Sequence, residues 1–197
     1  MSGDSARERI IEVATGLFAE LGYDGTSTRL IAEATGLNIA TVAYHVGNKR
    51  DLYLAVMERA HQKERAALEE VTARLAPDLD SVLRLLDHYI DFCAANPEIP
   101  ALWVHRWQSD AADVAHLENA YVQPLIEMVG EAIGKVAGDD IDLEYVVWSV
   151  IWCTHGFARG GVLRDDGQRH RMDDPSALIR FRAHMRRMVT MTLGLSP

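Results

Sequence analysis

Gly36-Leu37-Asn38-Ile39-Ala40-Thr41-Val42-Ala43-Tyr44-His45-Val46-Gly47-Asn48-Lys49 decides how the rest of this chain is read. The stretch describes a tight turn, a short helix and a second turn into another helix. Gly36 follows the alanine-rich run Ile31-Ala32-Glu33-Ala34, where a helix C-terminus favours a residue that accepts positive φ. The short helix is expected to bury Val42 and Val46, with Leu37 anchoring its entry. Asn38, Ile39, Thr41, Tyr44 and His45 then face outward. Such a mixed outer face is a poor core surface and suits a probe for a DNA groove.

Upstream, Ile10, Val13, Ala14, Leu17, Phe18 and Leu21 recur at helical spacing and predict an amphipathic helix over residues 5–21, capped by Ser5 and ended by Gly22. Tyr23-Asp24-Gly25-Thr26-Ser27 reads as a turn into a second helix, with Thr26 or Ser27 accepting from its first free N–H groups. That helix runs to about Thr35. Arg29 sits in its first turn, where a cation opposes the helix dipole; a phosphate at the same place would offset the cost. The bland alternative is a solvated arginine. Downstream, Asn48 with Asp51 three residues on resembles a capping box, and a long helix follows from Lys49 to roughly Leu75.

Residues 7–57 resemble the N-terminal domain of the TetR family of transcriptional regulators. The matching residues are Phe18, Gly22-Tyr23, Thr26-Ser27, Ile31-Ala32-Glu33-Ala34, Gly36-Leu37, Thr41-Val42, Tyr44-His45, Lys49 and Leu52, at agreeing spacing without a gap. The resemblance covers about a quarter of the chain. It implies an all-α protein: a helix-turn-helix domain over residues 1–50, a larger ligand-binding and dimerisation domain over residues 51–197, and a link through the helix of residues 49–75. It also implies a homodimer on palindromic DNA, a small-molecule effector, and DNA contacts from Thr26, Ser27, Arg29, Asn38, Ile39, Thr41, Tyr44, His45 and Lys49. Tyr44, His45 and Lys49 would touch phosphate; Asn38, Ile39 and Thr41 would face bases. The chain departs from the family habit where Ile39 replaces a basic residue, Ala43 an aromatic, Val46 a phenylalanine and Gly47 a lysine. Ile39 and Ala43 cannot hydrogen-bond bases but can meet thymine methyls.

Charge bears on the same reading. The 197 residues carry a net charge of −9. Residues 1–60 hold six Lys/Arg against eight Asp/Glu, and no acid lies between Glu33 and Asp51. Phosphate contact needs local positive charge and free N–H groups, not a basic whole protein. With 48% hydrophobic residues the chain can bury a sizeable core. No signal peptide or eighteen-residue apolar run is evident, so a cytoplasmic protein with no membrane span is expected. Cys93 and Cys153, the two cysteines, lie in apolar helical patterns and read as buried hydrophobes.

Beyond the long helix, helices are expected over residues 79–95, 101–110, 113–137 (split or kinked at Pro124), 142–160 and 175–193, with a charged loop over 160–174 and no strand pattern. All four tryptophans lie here, in two i, i+4 pairs: Trp103 with Trp107, and Trp148 with Trp152. Each pair suits a core, a dimer interface or a pocket wall. With His88, Tyr89, Tyr121 and His155 they make the candidate effector site. The helices of residues 142–160 and 175–193 are more apolar than one buried stripe requires. A second subunit would cover them, with Val147, Ile151, Leu178, Phe181, Met185 and Met188 as candidate dimer residues. His88, His105 and His155 lack metal-ligand spacing. No phosphate loop, nucleophile elbow, His-Glu-x-x-His or paired-cysteine motif suggests an enzyme, cofactor or metal. The expected function is a DNA-binding regulator, a repressor released by a small molecule; the alternative is an all-α ligand-binding or enzymatic protein keeping a relic DNA-binding domain.

Overall fold

The structure, a computed structural model, describes residues 3–108, 116–165 and 167–194, with side chains from residue 5 onward. It is all-α apart from one two-residue strand pair. The chain divides into two compact units: residues 1–62 with 101–115, and residues 63–100 with 116–197.

In the first unit α1 spans Gly3–Gly25, broken at Gly22, whose φ of 73° takes it out of helical geometry. The expected stop at Gly22 is therefore real, and one further turn follows it. α2 spans Thr28–Thr35 and α3 spans Ile39–Val46. Gly36, at φ 71°, closes α2: its N–H bonds the Glu33 carbonyl at 3.2 Å while that of Leu37 bonds Ala32 at 3.0 Å. This left-handed closure reverses the chain within two residues. α1, α2 and α3 pack around Ile10, Ala14, Phe18, Ile31, Val42 and Val46. Phe18, fully buried, meets the Tyr53 ring edge-on at 5.1 Å, and Tyr23 meets it at 4.9 Å. Burial of a ring that size stabilises a fold by roughly 2–3 kcal/mol. α4 spans Lys49–Thr72. Its start is a reciprocal capping box: Asp51 N–H donates to Asn48 Oδ1 at 3.0 Å and Asn48 N–H to Asp51 Oδ2 at 3.1 Å.

In the second unit α5 spans Leu79–Ala95, capped by Asp78, which accepts from Ser81 N–H at 2.7 Å. α6, Glu98–Trp107, has residues in both units. Residues 109–115 lie outside the described residues, and with them the expected end of one helix at 110 and start of another at 113. A π-turn over Glu118–Val122 precedes α7, Gln123–Ile133, so Pro124 falls in a first turn, where its missing N–H costs nothing. α8 spans Leu143–Gly160 and α9 spans Pro175–Thr192, capped by Asp142 and Asp174. The 160–174 loop corrects one expectation. β1 (Val162–Leu163) and β2 (Arg169–His170) pair antiparallel, Val162 opposite His170 and Leu163 opposite Arg169. Two residues a strand are too few for a periodic signal.

The core of this unit is built on the α5 stripe of Val82, Leu85, Leu86, Tyr89, Ile90 and Cys93. Phe157 of α8 and Phe181 of α9 stack at 4.4 Å. Arg186 binds Asp87 at 2.5 Å and Arg182 binds both Asp87 and Asp91, tying α9 to α5.

Candidate nucleic-acid interface and buried polar cluster

α3 is held at both ends, so its outer side chains are presented rather than packed. Asn38 caps it: Oδ1 accepts from Thr41 N–H at 2.8 Å and from the Thr41 hydroxyl at 3.0 Å. The residues read as facing bases are thus first a cap. Asn38 keeps its amide donors and Thr41 its oxygen lone pairs for a groove. Ile39 is 50% exposed and Tyr44 85% exposed, with the His45 ring edge-on to Tyr44 at 5.2 Å. A tyrosine so placed gains almost nothing from folding.

The far end of α3 explains one departure from the family pattern. Gly47 has φ 74°, and a Cβ there would come within 2.5 Å of Asp51 Oδ2. A lysine would be strained in the backbone and would collide with the carboxylate that caps α4. The cation here is Lys49, whose Nζ sits 4.2 Å from the Tyr23 ring centroid. That cation–π contact aims an ammonium from the N-terminus of α4, where phosphate is favoured. Tyr23 as the shelf for Lys49 is a role the sequence reading missed.

At the start of α2 the two candidate hydroxyls separate. Ser27 is exposed and caps the helix, Oγ accepting from Leu30 N–H at 3.1 Å. Thr26 is 1% exposed, and its hydroxyl donates to the Gly22 carbonyl at 2.8 Å and reaches that of Leu17 at 3.2 Å. This corrects the expectation that Thr26 contacts DNA: its side chain closes the α1–α2 corner, satisfying carbonyls that the break at Gly22 exposes. Arg29 is exposed and pairs with Glu33 at 3.0 Å. An exposed i, i+4 pair of this kind contributes only about 0.3–0.5 kcal/mol and yields readily to a phosphate.

The effector candidates fall into separate places. Trp103 and Trp107 belong to the first unit, and Trp103 is fully buried. Trp148 and Trp152 stack at 5.5 Å on α8, with Trp152 half exposed. Tyr121 lies on the π-turn, half-buried, and His88 on α5 has its Nε2 buried without a hydrogen-bond partner among the described residues. The structure brings Tyr89 and His155 together, the hydroxyl and Nε2 hydrogen-bonded at 2.8 Å between α5 and α8. Burial pushes the His155 imidazole down to about 3, so it is neutral. Burial also pushes the Tyr89 hydroxyl well above its ordinary range, and Cys93 and Glu64 beside it push the same way.

Glu64 of α4 is buried, among the charged residues Lys63, Arg65, Glu69 and Glu70. The signal was present: Val56, Ala60, Glu64 and Leu68 form an unbroken i, i+4 ladder. Thr154, next to His155 on α8, is fully buried as well. Thr15, Thr35, Thr72 and Thr190 all bond the carbonyl four residues back, whereas the buried Thr154 hydroxyl has no hydrogen-bond partner among the described residues. No group of three or more His, Cys, Asp or Glu among the described residues has metal-holding geometry.

Two dimer candidates are also corrected. Met185 (0% exposed) and Val147 (7%) lie in the protomer's own core, while Ile151, Leu178, Phe181 and Met188 pack half-buried against it. The apolar residues facing out are one step round each helix: Tyr145 and Trp152 on α8, Ile179 and Met191 on α9. Helices apolar on nearly all sides give no sequence cue to which stripe a protomer keeps for itself. Cys153 is likewise exposed, while Cys93 is buried as expected.

Residues 10–56, the whole helix-turn-helix, match the family model described as bacterial regulatory proteins, tetR family. The N-terminal domain is a TetR-family domain. The HTH-type transcriptional dual regulator CecR of Shigella flexneri is 33% identical over 96 residues, 44% of this chain and 41% of that protein. The repressor AcnR of Corynebacterium glutamicum is 40% identical over 52 residues, 26% of this chain and 28% of that protein. The chain thus matches well under half the length of these relatives. AibR, solved in complex with isovaleryl coenzyme A and operator DNA, shares the fold at a TM-score of 0.75 and 17% identity, covering 97% of this chain and 100% of that one. The likeness extends the TetR-family fold to the all-α second unit. No helix among the described residues is long and apolar enough to cross a membrane.

Proposed function

We propose that this chain is a homodimeric transcriptional regulator that binds palindromic operator DNA, acts as a repressor, and is released by a small molecule bound in its C-terminal unit. One observation carries the DNA reading: α3 is capped at both ends and presents Ile39 and Tyr44 to solvent, with Lys49 aimed from the next helix N-terminus. Exposed apolar and aromatic side chains on a rigid eight-residue helix fit a groove edged with thymine methyls and phosphates. AibR, solved with an acyl-coenzyme A and operator DNA, supports a two-ligand reading here. Tyr89, Thr154 and neutral His155 are the groups suited to hydrogen-bond an effector within the second unit. α4 has residues in both units and is the continuous element through which effector and operator would bias one equilibrium.

Selection of bound sequences from a random DNA pool tests this. Enrichment of an inverted repeat with half-sites about one duplex turn apart is expected. Tyr44→Ala should weaken binding to the selected site by about tenfold or more, and Lys49→Ala should lower the salt slope by about one. Recovery of no enriched site at low salt would leave the chain without its operator and refute the reading.

A further inference from the structure

The outward face of α3 lacks the side chains that read hydrogen-bonding patterns. Its exposed residues are Ile39, Ala40, Ala43 and Tyr44, with Val42 and Val46 buried beneath. From Ala34 to Asn48 the chain carries no Asp, Glu, Lys or Arg. At the helix start, Asn38 Oδ1 accepts the Thr41 N–H at 2.8 Å and the Thr41 hydroxyl at 3.0 Å, so both its lone pairs are taken. Asn38 therefore has no bidentate amide to offer a base. Among the described residues of the first unit, Leu21, Ile39 and Tyr44 are the exposed large hydrophobic side chains, and two of these stand on this eight-residue helix.

The major groove offers such a face little to hold. Guanine is read by Arg or Lys, adenine by Asn or Gln and cytosine by Glu or Asp; the apolar feature is the C5-methyl group of thymine. Cytosine lacks that methyl, but 5-methylcytosine carries it on the same ring carbon, at the same place in the groove. The two methylated pyrimidines then differ at C4, an oxygen acceptor in one and an amino donor in the other. The side chains of Ile39 and Ala43 can hydrogen-bond neither, so their contact with the methyl does not tell the two bases apart. These residues lie about one turn apart, about 6 Å along the helix, comparable with two base-pair steps of about 3.4 Å.

We propose that α3 reads the C5-methyl group itself, so that at the positions facing Ile39 and Ala43 the chain accepts 5-methylcytosine in place of thymine. A half-site with cytosine at such a position is weak until that cytosine is methylated. Cytosine methylation is then a second input to the regulator, acting at the DNA and independent of the small molecule. The contact is uncharged, so it contributes alike at every salt concentration and leaves the salt dependence to the phosphate contacts. The inference rests on the operator-DNA reading above and adds the chemical group that is recognised.

The test uses the full chain and the duplex enriched by the random-pool selection, resynthesised with altered pyrimidines, with affinity read by fluorescence anisotropy. Replacing thymine by uracil removes only the methyl. Each buried methyl contributes about fourfold, so exchange in both half-sites should weaken binding by about tenfold or more, with the salt slope unchanged. Cytosine at the uracil-sensitive position should also weaken binding, and 5-methylcytosine there should recover most of the loss. Ile39→Ala changes an exposed side chain and leaves the core untouched; in this variant the uracil penalty should shrink severalfold. Equal affinity for thymine and uracil duplexes, or a penalty as large in Ile39→Ala as in the wild type, would overturn methyl reading by α3 and leave the operator standing. Cytosine bound as tightly as 5-methylcytosine would do the same. A pool that yields no enriched site removes the operator reading itself, and this inference with it.

Discussion

The two units partner their polar and apolar side chains differently. The first keeps a conventional apolar interior of Ile10, Phe18, Ile31 and Met57, and places Ser27, Asn38, Tyr44 and Lys49 outside or at its edge. The second buries Glu64, Tyr89, Thr154 and His155 while leaving Tyr145, Trp152, Ile179 and Met191 in solvent. Buried polar groups and exposed apolar ones both cost stability. The first unit also buries Thr26, Thr35 and Arg106 and exposes Leu21, Ile39 and Tyr44, but its two buried threonine hydroxyls have carbonyl partners. The difference teaches that the first unit satisfies its buried hydroxyls from its own carbonyls, whereas the second keeps the Thr154 hydroxyl without a partner among the described residues and Trp152, Ile179 and Met191 in solvent, costs that the proposed small molecule and second subunit would offset.

The largest expected effect probes the boundary between core and exposed face. Met185→Ala empties a fully buried site and should cost about 2–5 kcal/mol in chemical denaturation. Ile179→Ala, one and a half turns earlier and mostly exposed, should change protomer stability by less than about 0.5 kcal/mol. It should instead weaken self-association measured by sedimentation. Equal costs for the two would break the distinction drawn between them.

Next come matched deletions of one hydroxyl in each unit. Tyr89→Phe removes the bond to His155 Nε2 and should destabilise by about 1–3 kcal/mol. Thr26→Val removes the bonds to Gly22 and Leu17 and should cost a similar amount by thermal or urea unfolding. Thr26→Val should leave the operator affinity of the folded protein within about twofold, since a buried hydroxyl offers no phosphate contact. A variant folded as well as the wild type but unable to bind would return Thr26 to the interface.

The smallest effect depends on pH. His155 has a folded-state pKa pushed down by burial to about 3, against about 6.5 when unfolded. Between those values the unfolded chain holds the extra proton, so stability falls as pH drops below about 6.5 and the loss is complete near 3. At pH 5.5 the expected loss from this group is about 1 kcal/mol relative to pH 7. In His155→Gln the melting temperature should fall less between pH 7 and 5.5. Parallel curves for the two proteins would show that His155 takes up its proton in the folded state.

These contrasts also mark how far the chain could be read before it was seen folded. The helix-turn-helix was legible almost to the residue because its signals are local: Gly36 at a left-handed C-terminus, Ser27 and Asn48 as caps, Asp51 closing the box. Thr26 was misread because its neighbour Ser27 offers the same chemistry at the same turn, and only the break at Gly22 decides which hydroxyl turns inward. In the second unit helix positions were legible but facing was not. Val147 and Met185 are as apolar as Tyr145 and Ile179, and nothing local says which stripe meets the protomer's own core. The polar cluster was half legible. Tyr89 and His155 stood out as polar residues in apolar runs, while Glu64 hid among the charges of α4 and Thr154 among ordinary helical threonines.

Gly36 and Gly47 have a consequence for how such a protein changes. Both hold positive φ, and they bracket α3 on either side. The backbone frame of the helix is therefore set by two residues without side chains and by a cap at Asn38, while Ile39, Ala40, Ala43 and Tyr44 face solvent. On the proposed DNA reading, those four positions would form a replaceable reading head. Substitutions there leave the interior of the domain intact, so a lineage, or an engineer, could retarget the proposed operator without first having to rescue the fold.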